Sequence, residues 1–260
     1  MSSTGVINKQ TKKAMRRILK DKIQLEENKL DNIHVIWPDS DDLFHLYALI
    51  IGPKDTPYEN GFFFFDLTFP KNYPFKSPHV EFITGDGYTR FNPNLYRKGK
   101  VCLSILGTWT GPSWTSSQNL STVLLSIQSL LNEHPIVNEP GWEKYKNTSK
   151  SKRYNEVLFH QVMKVCVLDQ LKLAIDSKKK GKIYKLFLPV MKKYLCDNLD
   201  WYIYKLNEKC SEDGEKVRSG IFNMEIVYKF KKILNGILDI YHTLNPTEIL
   251  LSPEELELML

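Results

Sequence analysis

No stretch of the 260-residue chain runs apolar for the roughly 18 residues that a membrane-spanning helix needs. Its start, "MSSTGVINKQTKKAMRR", lacks the apolar core of a secretion signal. Cysteine is scarce. The four (Cys102, Cys166, Cys196, Cys210) lie far apart with no CxxC spacing, which argues against a structural zinc site and predicts no bound metal. Without a signal they read as reduced thiols, placing the protein in the cytosol or nucleus. Internal repeats and long low-complexity stretches are also missing. A strong charge excess is missing too: 36 Lys and Arg face 30 Asp and Glu, a net of +6, which decides among nucleic acid, membrane and acidic partners for none of them. The remainder is ordinary for a globular chain, 42% hydrophobic and 25% charged, long enough for one large or two modest domains.

What is present has clear periods. Residues 8–27 read as a helix with Met15, Ile18, Leu19 and Ile23 as an apolar stripe and cations crowding the rest. "IHVIWP" (33–38), "LFHLYALIIG" (43–52), "FFFFDLTF" (62–69) and "HVEFIT" (79–84) read as strands, and the short gaps between them favour an antiparallel meander. Residues 85–114 show no sustained period and read as a long ordered loop, a feature usually tied to function. A helix over about 118–132 follows, with Ser and Thr at 115–117 available as caps. Leu120, Val123, Leu124, Ile127, Leu130 and Leu131 share its apolar face, whereas Leu125 projects off it beside Thr122 and Ser129. "NEHPIVNEPGW" ends that helix. Beyond it the pattern predicts lysine-rich amphipathic helices over 151–175, 183–206 and 223–244, with loops at 177–182 and 211–216. A short last helix would be capped by Ser252 through Glu255.

Within the long loop, "NPNLYRKGKVCLSIL" holds Cys102 with no histidine within ten residues on either side. A cysteine nucleophile usually has a histidine to take its proton. Cys102 is therefore either buried filler or a nucleophile for chemistry that needs no adjacent base.

From Gly52 to Leu106 the chain resembles the ubiquitin-conjugating enzymes. There a strand meander leads through a Tyr-Pro-Phe loop to a His-Pro-Asn tripeptide, with the acceptor cysteine eight residues after the tripeptide's Asn. Asn94 and Cys102 have that spacing, and the match covers roughly residues 8–160. The tripeptide here is Asn92-Pro93-Asn94, extra residues "GTWTGPSW" stand between Cys102 and Trp114, and about a hundred residues follow the core. All three departures, and "NEPGW", are similar to a longer-chain branch of the family, its Z type.

The resemblance implies an α/β (α+β) fold with an N-terminal helix, a four-stranded antiparallel meander and a crossover helix. The catalytic core would be residues 1–160, with 161–260 a helical extension packed on or beside it. It implies acyl transfer: Cys102 takes a modifier's C-terminal carboxyl from an activating enzyme, and a lysine amine then attacks that thioester. No cofactor is expected, because ATP is used upstream. Asn94 would supply an amide to the oxyanion or hold the loop that shapes the site, and Asn92 would be structural. Glu139 aligns with an acidic position flanking the site, while Ser104 stands where many relatives have an acid. Lys9, Lys12, Lys13, Arg16 and Arg17 would dock the activating enzyme. Phe75, Ser116 and Ser117 would face the ligase, and Leu125, Thr122 and Ser129 the linked modifier. Expected partners are thus an activating enzyme, a modifier and ligases, with no nucleic acid or membrane and a monomeric chain.

Three other readings stay open at this stage. A catalytically silent scaffold would share the fold, although silent variants lack the cysteine. A cysteine hydrolase would need one of His34, His45, His79, His134, His160 or His242 to approach Cys102. A nucleic-acid binder has only the mild basic excess behind it.

Overall fold

The computed structural model describes residues 8–176 and 182–246. The chain divides into two compact units, Met1–Ser151 and Lys152–Leu260, with the boundary ahead of the position 160 expected from the resemblance. The loop expected at 177–182 falls almost wholly outside the described residues, and the Ser252-capped helix lies entirely outside them.

The first unit opens with α1 (Lys9–Glu27), capped by Asn8, whose side chain accepts from the Gln10 N–H at 3.0 Å. Its inward stripe is Ala14, Ile18 and Asp21, while Leu19 and Ile23 are 42% and 51% exposed. This corrects the apolar stripe read from the sequence. The helix turns to bury a carboxylate: Asp21 accepts from the Tyr73 hydroxyl, from the Leu120 N–H at 3.1 Å and from Arg17 at 2.8 Å. Four strands follow, β1 (Ile33–Ile36), β2 (His45–Ile51), β3 (Phe62–Thr68) and β4 (His79–Phe82), in the order β1-β2-β3-β4 and all antiparallel. Register is set by pairs such as Val35 with Ala48, Ala48 with Phe65 and Phe65 with Phe82.

Phe62, Phe63, Phe64 and Phe65 are all fully buried, so both faces of β3 are covered and the apolar run does not alternate. On one face Phe63 meets Tyr58, Phe82 and Phe91, with centroids 5.6, 6.5 and 6.3 Å away. Each such side chain contributes about 1.5–3 kcal/mol on burial, and the cluster fixes where the chain emerges at residue 91. Tyr58 is held by a tight loop in which only glycine fits at position 52, since a Cβ there would lie 1.7 Å from the Tyr58 carbonyl oxygen.

The crossover helix α2 (Leu120–Leu130) buries Leu120, Val123, Leu124, Ile127 and Leu130 as the period predicts. Its cap is Asn119, not the Ser and Thr residues at 115–117: the Asn119 side chain accepts the Thr122 N–H at 2.9 Å, while Thr115 and Ser117 pair with each other at 2.8 Å in the preceding loop.

The helix α3 (Ser149–Gln161) starts just ahead of the unit boundary and runs into a π-helical segment, Val162–Asp169, and then α4 (Gln170–Ile175) in the second unit. The expected helix over 183–206 is two, α5 (Lys182–Asp197) and α6 (Leu199–Asn207), separated at Asn198. The expected helix over 223–244 starts instead as a strand. β5 (Lys216–Arg218) and β6 (Glu225–Val227) form an antiparallel hairpin whose turn contains Gly220, Phe222 and Asn223 at positive φ. "MEIVY" alternates with period two, and the helical pattern of its neighbours masked that. The helix α7 (Phe230–Leu244) begins only where Asp213 accepts the Phe230 and Lys231 N–H groups at 2.5 and 3.1 Å.

Candidate active site

Chain 92–102 doubles back on itself. The Leu95 N–H donates to the Asn92 carbonyl at 3.0 Å, Leu95 bridges to Val101, and the Cys102 N–H reaches the Asn94 carbonyl at 2.9 Å. The eight-residue spacing thereby becomes contact. The Asn94 side-chain amide donates to the Cys102 carbonyl at 2.7 Å. Asn94 is 5% exposed, and its Oδ1 is buried without a hydrogen-bond partner among the described residues. An unmet buried acceptor costs about 1–3 kcal/mol; Gln170 Oε1 in the second unit is in the same condition, so the feature alone does not mark a site. In this structure the Asn94 amide is engaged by the cysteine's own peptide.

Asn92 is fully buried and uses its whole amide. It donates to the Tyr58 hydroxyl at 2.9 Å and to the Leu130 carbonyl at 2.8 Å, and it accepts from the Asn94 N–H at 3.0 Å and the Asn138 side chain at 3.3 Å. Leu130 ends α2, where carbonyls lack helical partners; Asn138 also donates to it at 2.9 Å and is itself held by Asn132 at 2.9 Å. The tripeptide loop is thus braced by carboxamides and a phenol. From outside, Arg90 donates to the Asn92 and Pro93 carbonyls at 3.0 and 2.6 Å while stacking over Tyr96.

Cys102 is 1% exposed. Beyond it, a short 3-10 turn over Ser104–Leu106 ends at Gly107, in the left-handed region at φ 68°. Gly111, at φ 139°, packs on half-buried Ser104; a Cβ there would lie 3.0 Å from the serine Cβ. Between them, the Thr108 hydroxyl contacts the peptides on both sides of Cys102. Glu139 follows the 3-10 turn Pro135–Asn138 and is half-buried. Among the described residues no histidine hydrogen-bonds to Cys102: His134 sits 3.5 Å from the Glu133 carboxylate, His45 pairs with Asp66 at 2.9 Å, and His160 lies in the second unit. The pair a hydrolase would need is not formed. Tyr58, Arg90, Thr108, Asn132 and Asn138 were not expected from sequence, because hydrogen bonds made in irregular loops, near in the chain for Arg90 and far for Tyr58, leave no period.

Elsewhere on this unit, Lys9, Lys12, Lys13 and Arg16 are exposed along α1. Arg17 is different. Its guanidinium is tied to Asp21 and donates to the Ser116 and Gln118 carbonyls at 2.9 and 2.5 Å. Phe75 is 68% exposed, in the loop that also carries a cis Tyr73–Pro74 peptide, and Ser116 and Ser117 are exposed as well. The Tyr73 phenol is pushed well above its ordinary pKa by burial and by the Asp21 carboxylate. Leu125 is 46% exposed on α2, Ser129 is exposed near it, and Thr122 is half-buried with its hydroxyl on Asn119.

The family model described as "Ubiquitin-conjugating enzyme" matches residues 17–164, more than half of the chain. The chain therefore belongs to the ubiquitin-conjugating enzyme family. Within it, the chain is similar to proteins named ubiquitin-conjugating enzyme E2 Z. That of Danio rerio is 41% identical over 213 residues, 81% of this chain and 62% of the relative. That of Xenopus tropicalis is 38% identical over 226 residues, 86% and 70%. The human protein is 46% identical over 175 residues, 66% and 49%. The chain thus spans from about half to 70% of the length of these relatives.

Proposed function

We propose that this chain is a conjugating transferase. It accepts ubiquitin or a ubiquitin-like modifier from an activating enzyme as a thioester on Cys102 and passes it to a lysine of a substrate, usually with a ligase. The observation that carries the reading is the contact between Asn94 and Cys102, a family motif in register with its side-chain amide on the cysteine's own peptide.

In the first step the Cys102 thiolate attacks the incoming thioester carbonyl and the activating enzyme's thiolate leaves. Sulfur replaces sulfur, so the leaving group is already good. In the second a neutral lysine amine attacks, the Cys102 sulfur leaves, and the proton lost belongs to the amine. The first step needs Cys102 as thiolate, its proton passing to solvent, and a thiol supplies a usable thiolate fraction near neutral pH without a dedicated base. In the second step the proton lost is the amine's, so a base bonded to Cys102 does not serve it. The second step builds an oxyanion that an amide N–H stabilises; Asn94 would have to release the Cys102 carbonyl to do so. Glu139 and Ser104 would flank the approaching lysine. The sulfur is sealed at 1% exposure, so loading requires the segment to yield when the activating enzyme docks.

Docking would use Lys9, Lys12, Lys13 and Arg16, whose charges set on-rate and salt sensitivity more than affinity; Arg17 would contribute through the Ser116 loop it holds. Phe75, Ser116 and Ser117 would meet the ligase. Leu125, with Thr122 and Ser129, would hold the tethered modifier in one pose. The chain itself would need no cofactor and would work as a monomer in the cytosol or nucleus. Incubation with activating enzyme, modifier and ATP should give an adduct that thiol reagents remove. No adduct with a range of activating enzymes and modifiers would return the chain to the silent-scaffold reading.

A further inference from the structure

The main chain around Cys102 is held from two sides. Asn94 takes the cysteine's own N–H and carbonyl, at 2.9 and 2.7 Å. The two adjoining groups go to Thr108. Its hydroxyl donates to the Val101 carbonyl at 2.7 Å and accepts the Leu103 N–H at 3.0 Å. The Thr108 N–H adds a bond to the Leu103 carbonyl at 3.3 Å. Four consecutive backbone polar groups are thus satisfied by two residues, one before the cysteine and one after it. A hydroxyl can do this because it donates and accepts at once; an apolar side chain of the same shape can do neither. Thr108 belongs to the extra residues "GTWTGPSW", and the left-handed Gly107 before it turns the chain back toward Cys102.

We propose that Thr108 is a positioning residue for the acceptor cysteine, so that the additional loop forms the second half of a clamp whose first half is Asn94. This rests on the reading of Cys102 as acceptor. Reaction geometry is sensitive to small displacements of the reacting atoms. Without the hydroxyl, the Leu103 N–H and the Val101 carbonyl lose their partner and the segment reorganises. The loaded thioester then reaches the attack geometry less often, while the sulfur itself becomes easier to reach.

The clamp predicts opposite signs for two measurements on Thr108→Val. Single-turnover discharge of the preformed thioester to free lysine should fall about tenfold, a part of what the two unmet backbone groups would cost in full. The fall should lie in the maximal rate and not in the lysine concentration at half-maximum. Alkylation of Cys102 by iodoacetamide, which needs no modifier, should speed up several-fold. Thr108→Ser, which keeps the hydroxyl, should restore both to within about twofold of the parent. Melting temperature monitors folding. Unchanged discharge and alkylation in Thr108→Val would overturn the proposal. So would equal losses in Thr108→Val and Thr108→Ser, or a discharge loss matched by slower alkylation. A parent protein that forms no thioester at all would instead remove the acceptor reading on which the proposal rests, and the alkylation comparison would still report whether Thr108 orders the segment.

Discussion

Cys102 and Cys166 are buried to the same degree, 1% and 0% exposed, one in each unit. Their settings differ. Cys166 lies in a π-helical segment with buried Val162, Met163, Val165, Val167 and Leu168 around it in sequence. The buried polar side chains of that unit serve ordinary structural ends: Gln170 donates to the Val165 carbonyl at 3.0 Å, and His160 accepts the Lys229 N–H at 3.1 Å just before α7. Around Cys102 the buried polar side chains act on the cysteine's own peptides and on the loop behind them. Burial by itself nominates neither thiol. What separates them is where the polar side chains are committed, and that difference can be broken or sharpened by substitution.

The largest effect should come from Asn92, whose four bonds join the tripeptide loop to Tyr58, α2 and Asn138. Asn92→Ala should destabilise the first unit by roughly 4 kcal/mol, since a cavity and unmet buried groups add. Denaturant unfolding followed at the tryptophans of that unit, Trp114 among them, should read this. A loss below about 1 kcal/mol would mean the network is loosely made.

Next comes His160 in the second unit. Burial lowers its pKa to about 4 from 6.5. The unfolded chain takes up the proton near pH 6.5 while the folded one refuses it until about pH 4. The stability held by the neutral ring is therefore complete above pH 6.5 and declines as pH falls through this window, by about 3 kcal/mol in all. His160→Gln should flatten that decline, as seen in melting curves at pH 7 and pH 4.5; an unchanged slope would show that another group titrates.

Asn94→Ala should slow both loading and discharge, each about tenfold, because its amide bond in the free protein is to the acceptor's own carbonyl. A loss of about 10²–10³ confined to discharge would instead make Asn94 the oxyanion donor. The smallest effect is expected at Cys166. Serine there should cost about 1 kcal/mol from a buried hydroxyl and leave charging unchanged, and Cys196→Ser and Cys210→Ser should not alter charging either.

The meander was readable from its aromatic and branched runs with short gaps between them, and the crossover helix and its buried leucines from a local period that matches their burial. So was the exposure of Leu125, which sits off the stripe of Leu120, Val123 and Leu124. The orientation of α1 was not, because its inward face is completed by Asp21, a carboxylate made tolerable inside by Arg17 and by partners at Tyr73 and Leu120. The β5–β6 hairpin was hidden because the brief alternation of "MEIVY" sits beside a helical pattern and its strands are only three residues each. At the site, Asn94 and Cys102 were legible through a motif with fixed spacing. Thr108, Tyr58 and Asn138 were not. Each makes its hydrogen bonds to segments whose approach depends on the finished fold, and a lone threonine or asparagine in a loop reads as turn chemistry.

The identity of the acceptor, Cys102 or another thiol, decides the chemistry. Cys102→Ser should be charged slowly, yielding an oxyester that survives reducing agent and is cleaved by hydroxide. The parent's adduct should vanish under the same reductant. A reducible adduct formed at the parent's rate in Cys102→Ser would place the acceptor on another thiol and contradict the account.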